Sequence, residues 1–337
     1  MNPTSSPSLS RVAIVGAGAI GGWLGVHLAR AGCRVSALAR GETLAALQRD
    51  GLHLHAGDTL LQAPVTASSS STELGVQDLV IVAVKAPALV EVARQIGPLL
   101  DANTVVLTAM NGVPWWFLDG FGGAFAGARL ASIDPDGQIA RDILVRHVIG
   151  GVVHASCSVD APGVVRHHFG NGLIVGEPAG GASERVRALA ALLQQAGFNA
   201  SVSPQIQQDI WYKLWGNMTV NPVSALTGAT TDRILGDELV RGFISRVMLE
   251  AKAIGEHLGI PIDQQPADRH AVTLKLGAFK TSMLQDVAAR KPVELDALVS
   301  AVRELGQLTG IATPFTDALL GLSRLQAQTL GLYPQPV

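Results

Sequence analysis

Between residues 11 and 110, short apolar runs alternate with longer segments whose apolar positions recur at helical spacing. RVAIV (11–15) reads as a buried strand. GAGAIGGWLGVHLARAG follows as a turn and helix ended by Gly32 at its C-cap, and RVSALA (34–39) reads as a second strand. After the helix-like ETLAALQRDG come alternating runs around His53 and Leu60, then LVIVAV (79–84), the helical ALVEVARQIGPLL and TVVLTAM (104–110). Strand, helix and strand in repetition mean βαβ units and a mostly parallel, doubly wound sheet. From about 147 the pattern becomes VIGGVVHASCSV, GVVRHHF and GLIVGE with turn residues between them, expected as hairpin strands added to one edge of that sheet. The helix ERVRALAALLQQAG, capped by Gly197, and a last strand FNASVS complete this half. From Pro204 onward the β-branched runs vanish and helical periodicity holds to the end, closing with an amphipathic helix at 316–328 that serves as core or subunit interface. The biased stretch SSSST (68–72) is expected to be a loop.

Composition narrows the class. The 337 residues are 48% hydrophobic and 15% charged with 37 glycines, as in tightly packed helix-on-sheet proteins of one large or two medium domains. A formal net charge of -2 argues against a nucleic-acid or anionic-membrane partner, so any basic site must be local. Cys33 and Cys157 stand in no disulfide framework or metal-ligand spacing, which favours a reducing, cytoplasmic setting. The first residues MNPTSSPSLS lack the basic and apolar regions of a signal peptide and are expected as a disordered tail over 1–10. Leu79–Val84 is far too short to span a bilayer. The nine histidines include His53-x-His55 and His167-His168, but no carboxylate or cysteine accompanies them at ligand spacing, so no metal is expected.

Gly16-Ala17-Gly18-Ala19-Ile20-Gly21 follows a strand and opens a helix. In that context the glycines permit a tight turn, close approach of backbone to a pyrophosphate and helix–strand packing, with free N–H groups at the helix start for the phosphates. Dinucleotide binding follows for Gly16, Gly18, Ala19, Ile20 and Gly21. The second strand ends in Ala39-Arg40-Gly41, where an NAD enzyme places an acid; the arginine fork instead suits a 2′-phosphate, with Glu42 the alternative partner of a plain surface arginine. NADPH/NADP+ is therefore the expected cofactor. Two more strands end at the same edge, in Lys85 of Val84-Lys85-Ala86-Pro87 and in Asn111 of Met110-Asn111-Gly112-Val113-Pro114. Trp115-Trp116-Phe117, next along, either wall a ligand pocket or simply pack.

In WYKLWGNMTVN (211–221), Lys213, Asn217 and Asn221 fall at i, i+4 and i+8 and form one polar stripe among core-type residues. A solvated face would carry Glu, Lys and Gln rather than asparagine, a poor helix former. The stripe is better suited to face a ligand.

Together these pieces resemble the ketopantoate reductase family (2-dehydropantoate 2-reductases). The motifs that carry the resemblance are GAGAIG (16–21), VKAPAL (84–89), NGVP (111–114), PGVVRH (162–167), KLWGNMTVNPVSAL (213–226), SMLQD (282–286), ELD (294–296) and GIATP (310–314), spanning Gly16 to about Leu322. The resemblance implies a Rossmann domain over 11–203, a helical substrate and catalytic domain over 204–330, and an active site in the cleft between them. It implies NADPH-dependent reduction of 2-dehydropantoate, an anionic 2-oxo acid, to (R)-pantoate in pantothenate and coenzyme A synthesis, by a cytoplasmic enzyme compatible with a homodimer. Lys213 matches the family's general acid and Glu294 its active-site glutamate, twelve residues after Ser282. Ser282, Asn217 and Asn221 match substrate-contacting positions; Asn111 and Lys85 match residues near the nicotinamide and the cofactor's ribose and phosphates.

Hydride delivery to a ketone builds negative charge on its oxygen, so a positioned proton donor lowers the barrier, typically by about 10²–10⁴-fold. Lys213 beside Trp211 and Trp215 is partly desolvated, which lowers its pKa toward neutrality. Asn217 and Asn221 can each donate to and accept from a substrate. Glu294 has three open roles, holding Lys213, the substrate hydroxyl or the nicotinamide ribose, and a bland alternative as a surface partner of Lys291. Ser282 has one as a helix N-cap. The chain departs from the family pattern at Phe279, where an asparagine commonly helps hold the substrate, and at Val299-Ser300 in place of Asn-Gly. These departures keep two alternatives open: reduction of a different 2-oxo acid or derived imine, and, less in keeping with the intact set of site residues, a non-enzymatic NADP(H)-binding regulator.

Overall fold

The structure, a computed structural model, describes residues 9–275 and 277–335. Ten strands form one sheet: β1 (Arg11–Val15), β2 (Arg34–Leu38), β3 (Leu52–Ala56), β4 (Thr59–Ala63), β5 (Thr66–Ser68), β6 (Leu79–Val82), β7 (Val105–Thr108), β8 (Val148–Ala161), β9 (Val164–Gly176) and β10 (Asn199–Val202). Their order is β4-β3-β9-β8-β7-β6-β1-β2-β5, with β10 beside β9. From β5 through β2, β1, β6 and β7 to the start of β8 every neighbour runs parallel. Every residue of β6 and β7 is buried, which is why these strands read as unbroken apolar runs.

The added strands differ from expectation. GVVRHHF and GLIVGE belong to a single strand, β9, paired antiparallel with β8 along a hairpin with three register irregularities. Bulges of this kind let a long strand bend and twist without ending. One half of β9 then pairs with β3 and the other with β10. The β3–β4 hairpin, not β8–β9, forms that edge of the sheet. SSSST is split between the end of β5 and a short helix, because Ser68 Oγ accepts from the Ser70 N–H and bonds to Glu73.

The chain divides into two compact units, and the division does not follow the sequence. One contains the chain up to Met110 with Gly137–Asp209; the other contains Asn111–Asp136 with the chain from Ile210 on. The first unit holds the sheet and helices α1 (Ala19–Arg30), α2 (Gly41–Asp50), α3 (Ser71–Leu74), α4 (Leu89–Ile96), α5 (Gln138–Asp142) and α6 (Glu184–Gln195). Gly32 and Gly197 lie one residue beyond the caps Ala31 and Ala196, both with positive φ. Of the tail expected over 1–10, residues 1–8 lie outside the described residues. Leu9 is buried, and Ser10 donates through N and Oγ to Asp78, which also binds the Arg11 guanidinium.

The second unit is helical: α7 (Ile206–Thr227, its first turn in the first unit), α8 (Thr231–Gly236), α9 (Glu238–Leu258), α10 (Pro266–Leu274), α11 (Ser282–Ala288), α12 (Ala301–Thr309) and α13 (Pro314–Thr329). A π-helical turn, Asp296–Ser300, leads into α12. Helix α7 buries Trp211, Leu214, Trp215, Met218, Val220 and Val223, so it is apolar on nearly every side, as a central helix must be. Trp215 Nε1 donates to the Met248 carbonyl of α9 at 2.7 Å. The segment 111–136 joins this unit because its apolar residues, Trp115 to Leu118, are buried there, with Phe117 6.0 Å from Trp211 between ring centroids. Glu304 of α12 fastens it, accepting from the backbone N–H groups of Ala131 and Ser132 and from Ser132 Oγ. Among the described residues no helix is long and apolar enough to cross a membrane, and no cluster of three or more metal-ligating side chains occurs.

Candidate active site

The registers Val15↔Leu38, Val15↔Val82 and Val82↔Thr108 place the carboxyl ends of β1, β2, β6 and β7 at one edge of the sheet. Ligands of open α/β sheets bind at that edge, where the strand order reverses. The glycine loop leaves β1 there. Gly16 has φ +95, and a Cβ on it would sit 2.7 Å from Val84 Cγ1, so only glycine makes this turn. A Cβ on Gly21 would lie 2.1 Å from the Gly16 carbonyl oxygen, so the start of α1 is seated directly on the turn. A Cβ on Gly18 would meet nothing within 4 Å: its tightness serves no contact inside the protein. No side chain caps α1 and no acid lies in its first turn, which leaves its N–H groups and positive end for an anion. These features fit a dinucleotide pyrophosphate.

Arg40 follows β2 at the same edge, but its partner is Glu91 of α4 and not Glu42; the fork makes two bonds to that carboxylate, the longer 2.7 Å. The pair is exposed and therefore weak. Lys85 starts the turn after β6.

The second group of residues lies in the helical unit. Lys213 is half-buried on α7, and its Nζ donates to Asn111 Oδ1 at 2.8 Å. Asn111 is delivered by Gly112, whose φ of +85 and lack of a Cβ let it pass 2.5 Å from the Ala297 carbonyl oxygen, counted to the Cβ it lacks. The next residue, Val113, donates its N–H to that carbonyl at 2.8 Å, so the Asn-Gly turn docks on the π-helical turn that follows Glu294. Irregular helical turns of this kind recur at functional sites. Burial pushes the Lys213 ammonium down to about 8; the Glu294 carboxylate opposes this, and Arg269 adds to it. Glu294 is itself buried, which removes the surface-partner alternative.

Further along α7, Asn221 is buried and its Nδ2 reaches Ser282 Oγ at 3.4 Å. Ser282 is not the N-cap of α11. Thr281 is, accepting from the Leu284 N–H, and Ser282 opens the first turn with its hydroxyl free of that duty. The side chain of Asn217, between them and half-buried, makes no hydrogen bond among the described residues. Phe279 is half-buried, its backbone held to Thr231 by bonds in both directions. Lys213 with Asn111 and Glu294, and Asn221 with Ser282, thus form two sets joined through helix α7. Trp115 to Phe117 are interior packing. Arg269, whose charge acts on Lys213, is the residue sequence reasoning missed; its signal was Gly216, a glycine inside a helix, which marks a close approach.

A doubly wound sheet with a glycine-rich phosphate turn, and a helical unit that presents a depressed-pKa lysine among amides, define the nicotinamide-dependent oxidoreductase class. The models of ketopantoate reductase PanE/ApbA and of its C-terminal domain match residues 12–115 and 205–327. The 2-dehydropantoate 2-reductase of Mesorhizobium japonicum is 47% identical over 324 residues, 96% of this chain and 99% of the relative. A solved structure of a candidate ketopantoate reductase from Ralstonia solanacearum MolK2 is 56% identical, with a TM-score of 0.94 over 97% of this chain and 100% of that one. A PanE/ApbA family ketopantoate reductase from Ralstonia eutropha JMP134 is 28% identical, with a TM-score of 0.81 over 95% and 99%. The chain belongs to the ketopantoate reductase family.

Proposed function

We propose that this chain reduces 2-dehydropantoate to (R)-pantoate with NADPH, the step that serves pantothenate synthesis. Membership of the family supports the reaction. The observation that carries the assignment of residues is Lys213: half-buried, tied to Asn111, and held near pKa 8 with Glu294 acting on it. Gly16, Gly18, Ala19, Ile20 and Gly21 hold the pyrophosphate through the turn and the first N–H groups of α1. Lys85 and Arg40 serve the ribose and phosphates, with Arg40 exchanging Glu91 for the 2′-phosphate.

Bound NADPH supplies the hydride. Lys213 supplies the proton to the substrate oxygen as charge grows there, a role suited to an acid whose pKa lies near the working pH. Asn111 accepts from the ammonium and fixes its direction. Glu294 favours the protonated amine and thereby keeps the acid charged between turnovers. Asn217 offers an amide to the substrate, and Asn221 with Ser282 forms a second polar anchor one turn on.

Phe279 favours one other reading. An apolar ring where the family pattern has an amide removes hydrogen bonds and adds an apolar wall, which suits a bulkier 2-oxo acid. Consumption of NADPH and of NADH with 2-dehydropantoate and a panel of branched 2-oxo acids tests both readings, with Lys213→Ala beside the wild type. The expected result is a preference for NADPH and 2-dehydropantoate, with kcat lost by about 10²–10⁴-fold in the variant. Turnover confined to another 2-oxo acid would transfer the assignment to that substrate; full activity in Lys213→Ala would remove the lysine from the chemistry.

A further inference from the structure

Arg269, in the first turns of α10, is a cation with no carboxylate partner among the described residues. Its guanidinium carbon lies 5.4 Å from the centre of the Tyr212 ring. A Cβ on Gly216 would come within 2.9 Å of both Nε and Nη2. The guanidinium therefore lies against α7 at its one side-chain-free position, between Lys213 and Asn217 in sequence, stacked on the residue that precedes Lys213. Its Nε is buried and makes no hydrogen bond. Arg269 is half-buried, and a guanidinium that keeps a buried Nε without a hydrogen-bonded acid is costly. Lys213 feels both charges nearby: the Glu294 carboxylate raises its pKa and the Arg269 guanidinium lowers it.

We propose that Arg269 is the residue that binds the carboxylate of the 2-oxo acid, and that it sets the preference for a charged substrate over a neutral ketone. The proposal rests on the functional reading above, and it names the group that receives the acid end of the substrate while Lys213 faces the keto oxygen. The planar fork matches a carboxylate with two parallel bonds, which no lysine can reproduce. Tyr212 and Gly216 together fix the plane of the fork: one stacks on it, the other lets it approach.

The test compares an acid with its neutral counterpart. Pantoate and pantolactone are titrated by calorimetry into the NADP+-loaded wild type, Arg269→Lys and Arg269→Gln, and steady-state kinetics are measured with 2-dehydropantoate and its lactone. In Arg269→Gln the affinity for pantoate is expected to fall, and KM for 2-dehydropantoate to rise, by about 10²-fold, while the lactone changes little. Arg269→Lys keeps the charge but loses the fork and falls between. Gly216→Ala, which pushes the guanidinium aside without removing it, is expected to weaken the acid selectively and keep NADPH affinity. Equal losses for acid and lactone, or no loss for the acid in a folded variant, would overturn the proposal. Should the wild type neither reduce 2-dehydropantoate nor bind pantoate, the functional reading fails separately. Oxamate, a minimal 2-oxo acid mimic, then decides the carboxylate site: binding that depends on Arg269 upholds it, and binding indifferent to Arg269 overturns it.

Discussion

The two units prepare for their ligands in different materials. In the sheet unit the candidate phosphate cradle is main chain: three glycines within six residues, an uncapped helix start, and a Gly18 position open to whatever lies outside. In the helical unit the candidate chemistry is carried by side chains from five separate stretches, at Asn111, Lys213 to Asn221, Arg269, Ser282 and Glu294. A backbone cradle is fixed by local conformation, and at Gly16 and Gly21 it leaves no room for an added Cβ. A side-chain constellation is fixed by packing between elements, and it can be retuned one residue at a time. On the proposed reading, the rigid cradle suits a constant cofactor and the adjustable constellation a substrate.

The sharpest way to break the comparison is Gly21→Ala. Its new Cβ would meet backbone, at 2.1 Å from the Gly16 oxygen, so relief requires moving the turn or the helix. Overpacking of this kind costs about 1–3 kcal/mol or more, and NADPH affinity and the thermal midpoint should fall together. If both survive, the cradle is less rigid than its geometry implies. The counterpart in the helical unit is Glu304→Gln, which weakens bonds to the Ala131 and Ser132 N–H groups and Ser132 Oγ. A loss of about 2 kcal/mol in thermal or urea unfolding is expected, with NADPH affinity retained.

Gly18→Ala separates stability from binding inside the cradle. The added methyl meets nothing in the protein, so the midpoint should hold while NADPH affinity falls by roughly tenfold, equivalent to about 1.4 kcal/mol. An unchanged dissociation constant would remove Gly18 from the cofactor contact. The smallest effect is in pH dependence. Lys213 must be protonated to donate, and its pKa is lowered to about 8, so kcat/KM should decline as pH rises through that value. Glu294 favours the protonated form, so Glu294→Gln should move this alkaline limb to lower pH. A limb that moves up, or stays, would show that Glu294 does not act on the lysine.

Much of this was legible in the chain. The βαβ alternation, the glycine turn and the polar stripe on α7 are local periodicities, and 3.6-residue spacing alone puts Lys213, Asn217 and Asn221 on one face. The role of β9 was not legible, because one strand interrupted by Gly170 and Asn171 looks like two until its partners β3, β8 and β10 are known. Nor was the assignment of 111–136 to the helical unit, since apolar residues declare that they will be buried but not where. Ser282 stood open as a helix N-cap until the Leu284 N–H was seen to reach Thr281.

By itself the sequence determined the fold class, the strand and helix order over most of the chain, the phosphate turn and the lysine at its helical spacing. These depend on backbone conformation and on neighbours a few residues away. Tertiary structure alone decided that Arg40 meets Glu91, that Asn111 receives Lys213, that Glu294 is buried within reach of the lysine's charge, and that Arg269 lies across Gly216. Those facts are distances between side chains far apart in sequence, and only the packing of whole elements sets them.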